Sequence, residues 1–560
     1  MKKALAAAVV ALAVLAILFW PRRDAPLDFE RDVAPIVRSR CGSCHRPEGG
    51  APFALLDYDE VKARAAQIAD ATGRRIMPPW MPEKGEHAFA GDRSLTEADI
   101  ATLGRWAAEG APGKADRHRF QWIPTNSLLR EDLVVRMPEP YALPASGPDV
   151  YRNFVVPLPL DAPRAVRAWQ FRPGSGSAIH HAFVLLDATG ESARLDAKDP
   201  EPGFYGLHTP RGVQAPPGHF MSWQPGADAR RSDDFPWTLP PGALVLQAHL
   251  RPTGKPEQIQ PSVAFSFAER ASERQPTKIA LWSQEIDIPA GATAHAVKDA
   301  FTLPVDVDVL GLLPHAHYLA TTFEAKAARP DGTSTTLLRI PRWNFDWQGD
   351  YAYRTPVFLP KGTVVSMEVV YDNSAGNPRN PNVPPKRVRY GVESSDEMAE
   401  LMLRVLPRDP GGAAKIEEAS APRVLASGVT YNRYLLEKDP ENGRAHAELG
   451  KSLVIQGKTD EAGPHLAAAI RLRPDDDEPH YFLGIARRMR RQPAEALACF
   501  QAAVRLNPKN AKAHGNLGLV LLERGDLDGA TRALETALRL NPADEIARQT
   551  LADIAAARKR

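Results

Sequence analysis

Apolar positions change their period along the chain, and each change marks a different kind of element. An unbroken apolar run from Ala4 to Trp20 sits between Met1-Lys2-Lys3 and Pro21-Arg22-Arg23. That layout is an export segment, and its length is at the short end of the roughly 20 residues that cross a bilayer. From residue 27 to about 116 the period is helical: Phe29, Val33, Ile36 and Val37 share one face just before Cys41. A second helix is expected after Thr96 as N-cap, with Ile100, Leu103, Trp106 and Ala107 together. From about 125 to 410 the period becomes two, as in Ala243 to Leu250 and Thr363 to Tyr371. Turn signals such as Pro330-Asp331-Gly332 separate the runs. This stretch has room for two β-sandwiches joined near 270–277, where Arg270 to Lys278 is polar.

Residues 408 to 422 are rich in Pro, Gly and Ala and read as a linker. Beyond them Leu449-Gly450, Leu483-Gly484 and Leu517-Gly518 recur with a period of 34, as do Pro440, Pro474, Pro508 and Pro542, with Ala462, Ala496 and Ala530 in register. Those positions are the pattern of tetratricopeptide repeats, and three repeats suffice for a helical solenoid. His446, His480 and His514 recur at the same spacing and read as equivalent positions on successive helices.

At 560 residues the chain has length for several cores. Its formal net charge of +2 gives no reason to expect a nucleic-acid partner. Only three cysteines occur; Cys499 stands alone in a helical region, so no disulfide framework is expected.

The other two lie in Cys41-Gly42-Ser43-Cys44-His45, the attachment sequence for c-type haem. Two thiols three residues apart can add to the two haem vinyl groups, and His45 is placed to ligate the iron. A zinc or redox CxxC is the competing reading, which export and the flanking helices disfavour. The sixth ligand is expected from Ile76-Met77-Pro78-Pro79-Trp80-Met81-Pro82, with Met77 preferred and Met81, His87 or an open position as alternatives. The block resembles a small class I cytochrome c. Haem attachment of this kind places the chain on the periplasmic side of the bacterial inner membrane, anchored there, or exported and soluble if the leader is cleaved.

Three histidine clusters lie in the alternating region: Ile179-His180-His181, Gln247-Ala248-His249 and His315-Ala316-His317, followed by Ser394-Ser395-Asp396-Glu397-Met398. Side chains two apart in a strand share a face, so His315 and His317 can hold one metal. Adjacent His180 and His181 would diverge in a regular strand and converge only at a bulge or strand end, which the preceding Gly174-Ser175-Gly176-Ser177 makes feasible. That glycine-rich run has no βαβ context and is not read as a nucleotide loop. Imidazole suits copper and a thioether favours its reduced ion. His208, His219 and His295 fall outside these clusters and read as structural or surface residues.

The segments AIHHAFVLLD, LVLQAHL, LLPHAHYL and SSDEM, in this order, make residues 130–407 resemble the copper type II, ascorbate-dependent monooxygenases, the family of peptidylglycine hydroxylating and dopamine β-monooxygenases. The resemblance implies two jelly-roll sandwiches with one copper in each, facing across a solvent cleft. His180, His181 and His249 would hold the electron-transfer copper. His315, His317 and Met398 would hold the catalytic copper that meets dioxygen and the organic substrate. Gln247 fits the family's Gln-x-His pattern. Peptide-amidating members carry arginine two residues before the HxH pair; here Leu313 stands there, which puts a peptidylglycine substrate in doubt.

The expected architecture is multidomain: 1–26 a signal anchor or signal peptide, 27–117 a cytochrome c-like domain, 125–272 and 273–408 the two sandwiches, 409–426 a linker, and 427–560 the repeats. The expected cofactors are two copper ions and one covalent haem c. Electrons come from ascorbate, another external reductant or a donor protein, relayed through the fused haem. The repeat groove is expected to bind a protein or peptide. The competing expectation is a non-enzymatic, membrane-tethered redox or copper-binding module with the repeats as scaffold.

Overall fold

A computed structural model describes residues 26–46, 51–113, 130–174, 178–206, 210, 212–227 and 229–558. The expected export segment at 1–26, Ser175 to Ser177 and His208 lie outside these residues, Pro26 apart. Among the described residues no helix is long and apolar enough to cross a membrane.

The N-terminal block is helical, as its period implies. A π-helical turn Phe29–Val33 runs into the helix Ala34–Arg40, followed by Tyr58–Lys62, Ala65–Gly73 and Glu97–Ala108. Phe29, Val33 and Val37 are buried against Leu103 and Trp106. Thr96 caps the last helix reciprocally: its hydroxyl accepts the Asp99 N–H at 3.1 Å, and the Asp99 carboxylate accepts the Thr96 N–H at 2.8 Å. Such a box satisfies two otherwise orphan donors, and an N-cap alone contributes about 1 kcal/mol.

The central region forms two β-sandwiches. In the first, a sheet ordered Leu133–Arg136, Ser262–Ala268, Arg164–Arg172, Trp237–Leu239 faces one ordered Phe204–Tyr205, Val150–Leu158, Gly242–Leu250, Ile179–Asp187, Val213–Gln214. Leu244, Leu246 and Ala248 fill the space between them with Trp169 and Phe265. In the second, the sheet Thr277–Ser283, Ala399–Pro407, Val307–Ala316, Tyr351–Leu359 packs on His295–Thr302, Val364–Tyr371, Ala320–Ala328, Ser334–Ile340. The polar stretch around 270–276 separates the two.

Part of the N-terminal block joins the second sandwich. The Ala90 N–H donates to the Ala352 carbonyl at 2.7 Å, the Arg354 N–H to Ala88 at 2.9 Å, and the Glu83 N–H to Arg339 at 2.8 Å. Phe89 stacks on Tyr353 at 4.9 Å, and Trp80 and Met81 pack against the same core.

The expected linker at 409–426 is mostly a helix. Gly412–Lys438 runs through it as one 27-residue helix, with Pro422 inside. Tertiary contacts override the composition: Ile416 is buried in the second sandwich, Arg423 pairs with Asp299, and Gln284 donates to the Ser427 carbonyl. Paired helices follow: Gly443–Ile455 with Thr459–Leu472, Asp477–Met489 with Pro493–Leu506, and Ala511–Glu523 with Leu527–Leu540, then Glu545–Ala557. The repeated glycine is a packing requirement. A Cβ at Gly450, Gly484 or Gly518 would stand 2.6 to 2.7 Å from Leu466, Phe500 or Leu534 of the paired helix.

Candidate metal and cofactor sites

The first cluster rests on a bulge. Strand Gly242–Leu250 pairs with Ile179–Asp187 so that His249 opposes His181 while Leu250 opposes Ile179, leaving His180 as the extra residue. This irregularity turns the two neighbouring histidines to the same side. Their Nδ1 atoms approach to 3.2 Å, and the three rings lie 4.9 to 5.3 Å apart. Among the described residues, His180, His181 and His249 form a group whose possible ligand atoms all lie within 4.8 Å of one another.

Hydrogen bonds fix which nitrogen is free. His249 donates Nε2–H to Asp149 Oδ2 at 2.7 Å and stacks on Tyr151 at 4.3 Å. Its Nδ1 is buried with no partner, an orphan acceptor aimed into the cluster. Burial, together with His249, holds His180 down to about 4; burial also holds His181 well below its ordinary range and lowers His249. Neutral imidazoles with converging lone pairs are the form a metal ion binds.

The second cluster uses the opposite nitrogens. His315 and His317 flank the buried Ala316, and their rings stand 5.1 Å apart. Gln348 is oriented by its Nε2–H bond to the Phe345 carbonyl, so its Oε1 accepts the His315 Nδ1–H at 2.6 Å. The His317 Nδ1–H goes to the Asp396 carbonyl at 3.0 Å. Both residues therefore keep Nε2 for a ligand. Ala316 pairs with Ala399, so extending that register by one sets Met398 opposite His317. The Tyr371 hydroxyl donates to the Met398 carbonyl at 2.6 Å and holds that segment. Glu397 is fully buried and accepts the N–H groups of His317 and Leu319 at 2.9 and 2.6 Å. Burial pushes its carboxyl up to about 8 against those donors, and pushes His317 down to about 3. Leu313 shares the His315 face and is half-buried.

The two clusters adjoin. His180 Nε2 stands 3.9 Å from Asp346 Oδ1 of the second sandwich, and His181 lies within electrostatic reach of His315. Gln247, two residues before His249, donates to Asn153 Oδ1 at 3.1 Å.

The third centre is a cavity of about 330 Å³ beside the CxxCH segment. Cys41, Cys44, His45 and Met77 line it, with Pro225 from the first sandwich and Trp347 from the second. His45 donates Nδ1–H to the Phe53 carbonyl at 3.1 Å, which leaves Nε2 free. Burial pushes the Cys41 thiol up to about 12, the reverse of the activated thiolate of a redox CxxC. Met77 is in this cavity, whereas Met81 and His87 are not. Met81 packs on the second sandwich, and its Sδ accepts the Asn344 N–H at 3.2 Å. His87 Nε2 meets Thr335 Oγ1 at 3.0 Å.

Sequence reasoning missed the residues that orient these ligands, Asp149, Gln348 and Glu397 among them, and Asp346 beside His180. Only Glu397 carried a local signal, by adjoining Met398. Of the outlying histidines, His219 is buried, and His446 and His514 make the same Nε2 contact, 3.0 Å, to the Pro440 and Pro508 carbonyls.

Among known families, the tetratricopeptide repeat model matches residues 429–477 and 483–545. The crystal structure of MamA is similar to this chain at 25% identity, over 27% of this chain and 85% of MamA, with a TM-score of 0.24. The first TPR of Spaghetti (RPAP3), solved bound to the HSP90 peptide SRMEEVD, is similar at 24% identity over 22% of this chain and 97% of that chain, with a TM-score of 0.21. No curated protein matches. The protein is thus multidomain, with a central β-rich region and a C-terminal tetratricopeptide-like array of the kind that serves as an interaction scaffold.

Proposed function

We propose that this protein is a copper-dependent monooxygenase that hydroxylates an organic substrate with dioxygen, its electrons passing through a covalent c-type haem. The observation that carries the reading is the pairing of two unequal donor sets on adjoining sandwiches. One set presents the free Nδ1 of His249 beside the facing Nδ1 atoms of His180 and His181; the other presents two Nε2 atoms beside the Met398 strand. When bound, the coppers supply one-electron storage and dioxygen activation, and the haem supplies one-electron delivery. Asp149, Gln348 and the Asp396 carbonyl fix the tautomers of His249, His315 and His317, so the ligand nitrogens of these three are deprotonated before metal arrives. Leu313 presents an apolar surface beside His315, which suits a substrate not held there by a carboxylate.

In this reading the two sandwiches are jelly rolls and the N-terminal block is a class I cytochrome c. Cys41 and Cys44 hold the haem covalently, and His45 and Met77 ligate its iron. The chain acts on the periplasmic side of the inner membrane, with ascorbate or a donor protein as reductant. The repeat groove takes a protein or peptide partner.

The test uses full-chain protein carrying haem and copper, screened for oxygen uptake with mass-spectrometric detection of labelled oxygen in product. Replacing Met398 with leucine is expected to abolish turnover while copper content stays near two per chain. Absence of oxygen incorporation with every substrate class, both metals being bound, would favour the non-enzymatic copper-binding scaffold instead.

A further inference from the structure

Four consecutive residues touch all three centres. The Phe345 ring packs edge-on against His317 at 5.4 Å. Asp346 Oδ1 stands 3.9 Å from His180 Nε2. Trp347 lines the CxxCH cavity with His45 and Met77. Gln348 Oε1 accepts the His315 Nδ1–H at 2.6 Å.

The segment is held rigidly. Asn344 Oδ1 accepts the Asp346 N–H at 3.1 Å, the Trp347 N–H donates to the Asn344 carbonyl at 3.1 Å, and the Gln348 amide donates to the Phe345 carbonyl at 3.0 Å. The Asn344 N–H in turn donates to Met81 Sδ of the N-terminal block. Met81, an alternative axial ligand by sequence, thus fastens this turn to the block that carries the cavity.

Resting on the copper and haem reading above, we propose that Phe345–Gln348 is a branched electron conduit, with Trp347 as its shared entry at the haem pocket. One branch crosses a single peptide unit to Gln348 and a short hydrogen bond to His315. The other crosses one peptide unit to Asp346 and a 3.9 Å gap to His180. Each transfer moves one electron: ferrous haem becomes ferric and one cupric ion becomes cuprous, with no bond made or broken. An external one-electron reductant of the ascorbate class restores the ferrous haem. Because electron transfer falls steeply with distance, the hydrogen-bonded branch couples more strongly. Both clusters can then be filled from one entry, so neither depends on the other for its electron. Trp347 acts here as a positioning residue between groups and undergoes no net change.

The test is anaerobic stopped-flow reoxidation of the ferrous haem in full-chain protein with both coppers cupric. Haem absorbance is read alongside loss of the cupric paramagnetic signal. Trp347→Leu is expected to slow both signals by at least about tenfold, and Trp347→Phe, which keeps an aromatic ring, to recover most of the rate. Haem and copper content are measured on each sample and are expected to match the unsubstituted chain. A Leu variant that reoxidises at the unsubstituted rate with both groups bound overturns the conduit and leaves the copper and haem reading standing. Unsubstituted protein that binds no copper or no haem, or whose haem reoxidises equally fast without copper, overturns both.

Discussion

Replacing Asp149 with asparagine tests the first cluster through a residue that touches no metal. Asp149 Oδ2 accepts from His249 Nε2 at 2.7 Å, and this bond leaves the His249 Nδ1 lone pair facing His180 and His181. Hydrogen bonds to a charged group contribute about 1.5–3 kcal/mol and neutral ones about 1 kcal/mol, so the substitution removes on the order of 1 kcal/mol. The Asp149 side chain is 35% exposed, and solvent screening keeps the loss at the lower end. That corresponds to roughly a fivefold weaker copper affinity at this site. Asp149→Leu, which removes the acceptor altogether, is expected to weaken it by about 10–100-fold. The assay is titration of copper-free full-chain protein with cuprous ion against a competing chelator, resolving two binding events. The other event should not move. Gln348→Leu is the mirror experiment and should loosen only the His315/His317 event. If both events weaken together in Asp149→Leu, or neither moves, the assignment of free nitrogens from their hydrogen-bond partners is wrong.

Three further outcomes follow from packing and burial. Phe89→Ala empties a site buried between Tyr353, Tyr351 and Trp80 and should cost about 3–5 kcal/mol; it is read as lower resistance of the full chain to denaturant, with protease cutting near residue 90. Gly484→Ala drives a methyl to 2.7 Å from the Phe500 ring and should destabilise the repeats by about 1–3 kcal/mol, seen as earlier loss of helical dichroism. Burial holds His219 at about 4, below its ordinary value, so it stays neutral in the fold while the unfolded chain takes up a proton. Its contribution is complete above about pH 6.5 and is lost as pH falls towards 4, by up to about 3 kcal/mol. In His219→Gln the denaturation midpoint should therefore fall less across that window than in the unsubstituted chain; equal falls would count against the burial argument.

Local pattern reported well on what is local. The Thr96 cap, the Phe29–Val37 face and the 34-residue period all reappear as expected because each depends on neighbours within one or two helices. The convergence of His180 and His181 was legible too, since adjacent side chains in a regular strand must diverge and only a bulge reconciles them. The helix Gly412–Lys438 was not legible. Its Pro, Gly and Ala content suggests a linker, and what holds it is tertiary: Ile416 in the core of the second sandwich, and Arg423 on Asp299, 124 residues away. The same holds for Asp149 and Gln348, which meet their histidines across 100 and 33 residues. Met77 and Met81 look alike in sequence, each before a proline; only packing on the second sandwich separates them.

Cys44 has a bearing on how the molecule is assembled. Its Sγ lies 3.9 Å from the Pro225 carbonyl, and a Cβ on Gly226 would stand 2.1 Å from it. The thiol is thus roofed by chain that follows 181 residues later. Emerging from the N-terminus at about 5–20 residues per second, the chain leaves that sulfur uncovered for on the order of ten seconds or more before the roof can fold over it. A group joined to Cys44 in that interval meets no obstruction from the Pro225–Gly226 turn, so the first sandwich docks over one side of a sulfur that already carries its group.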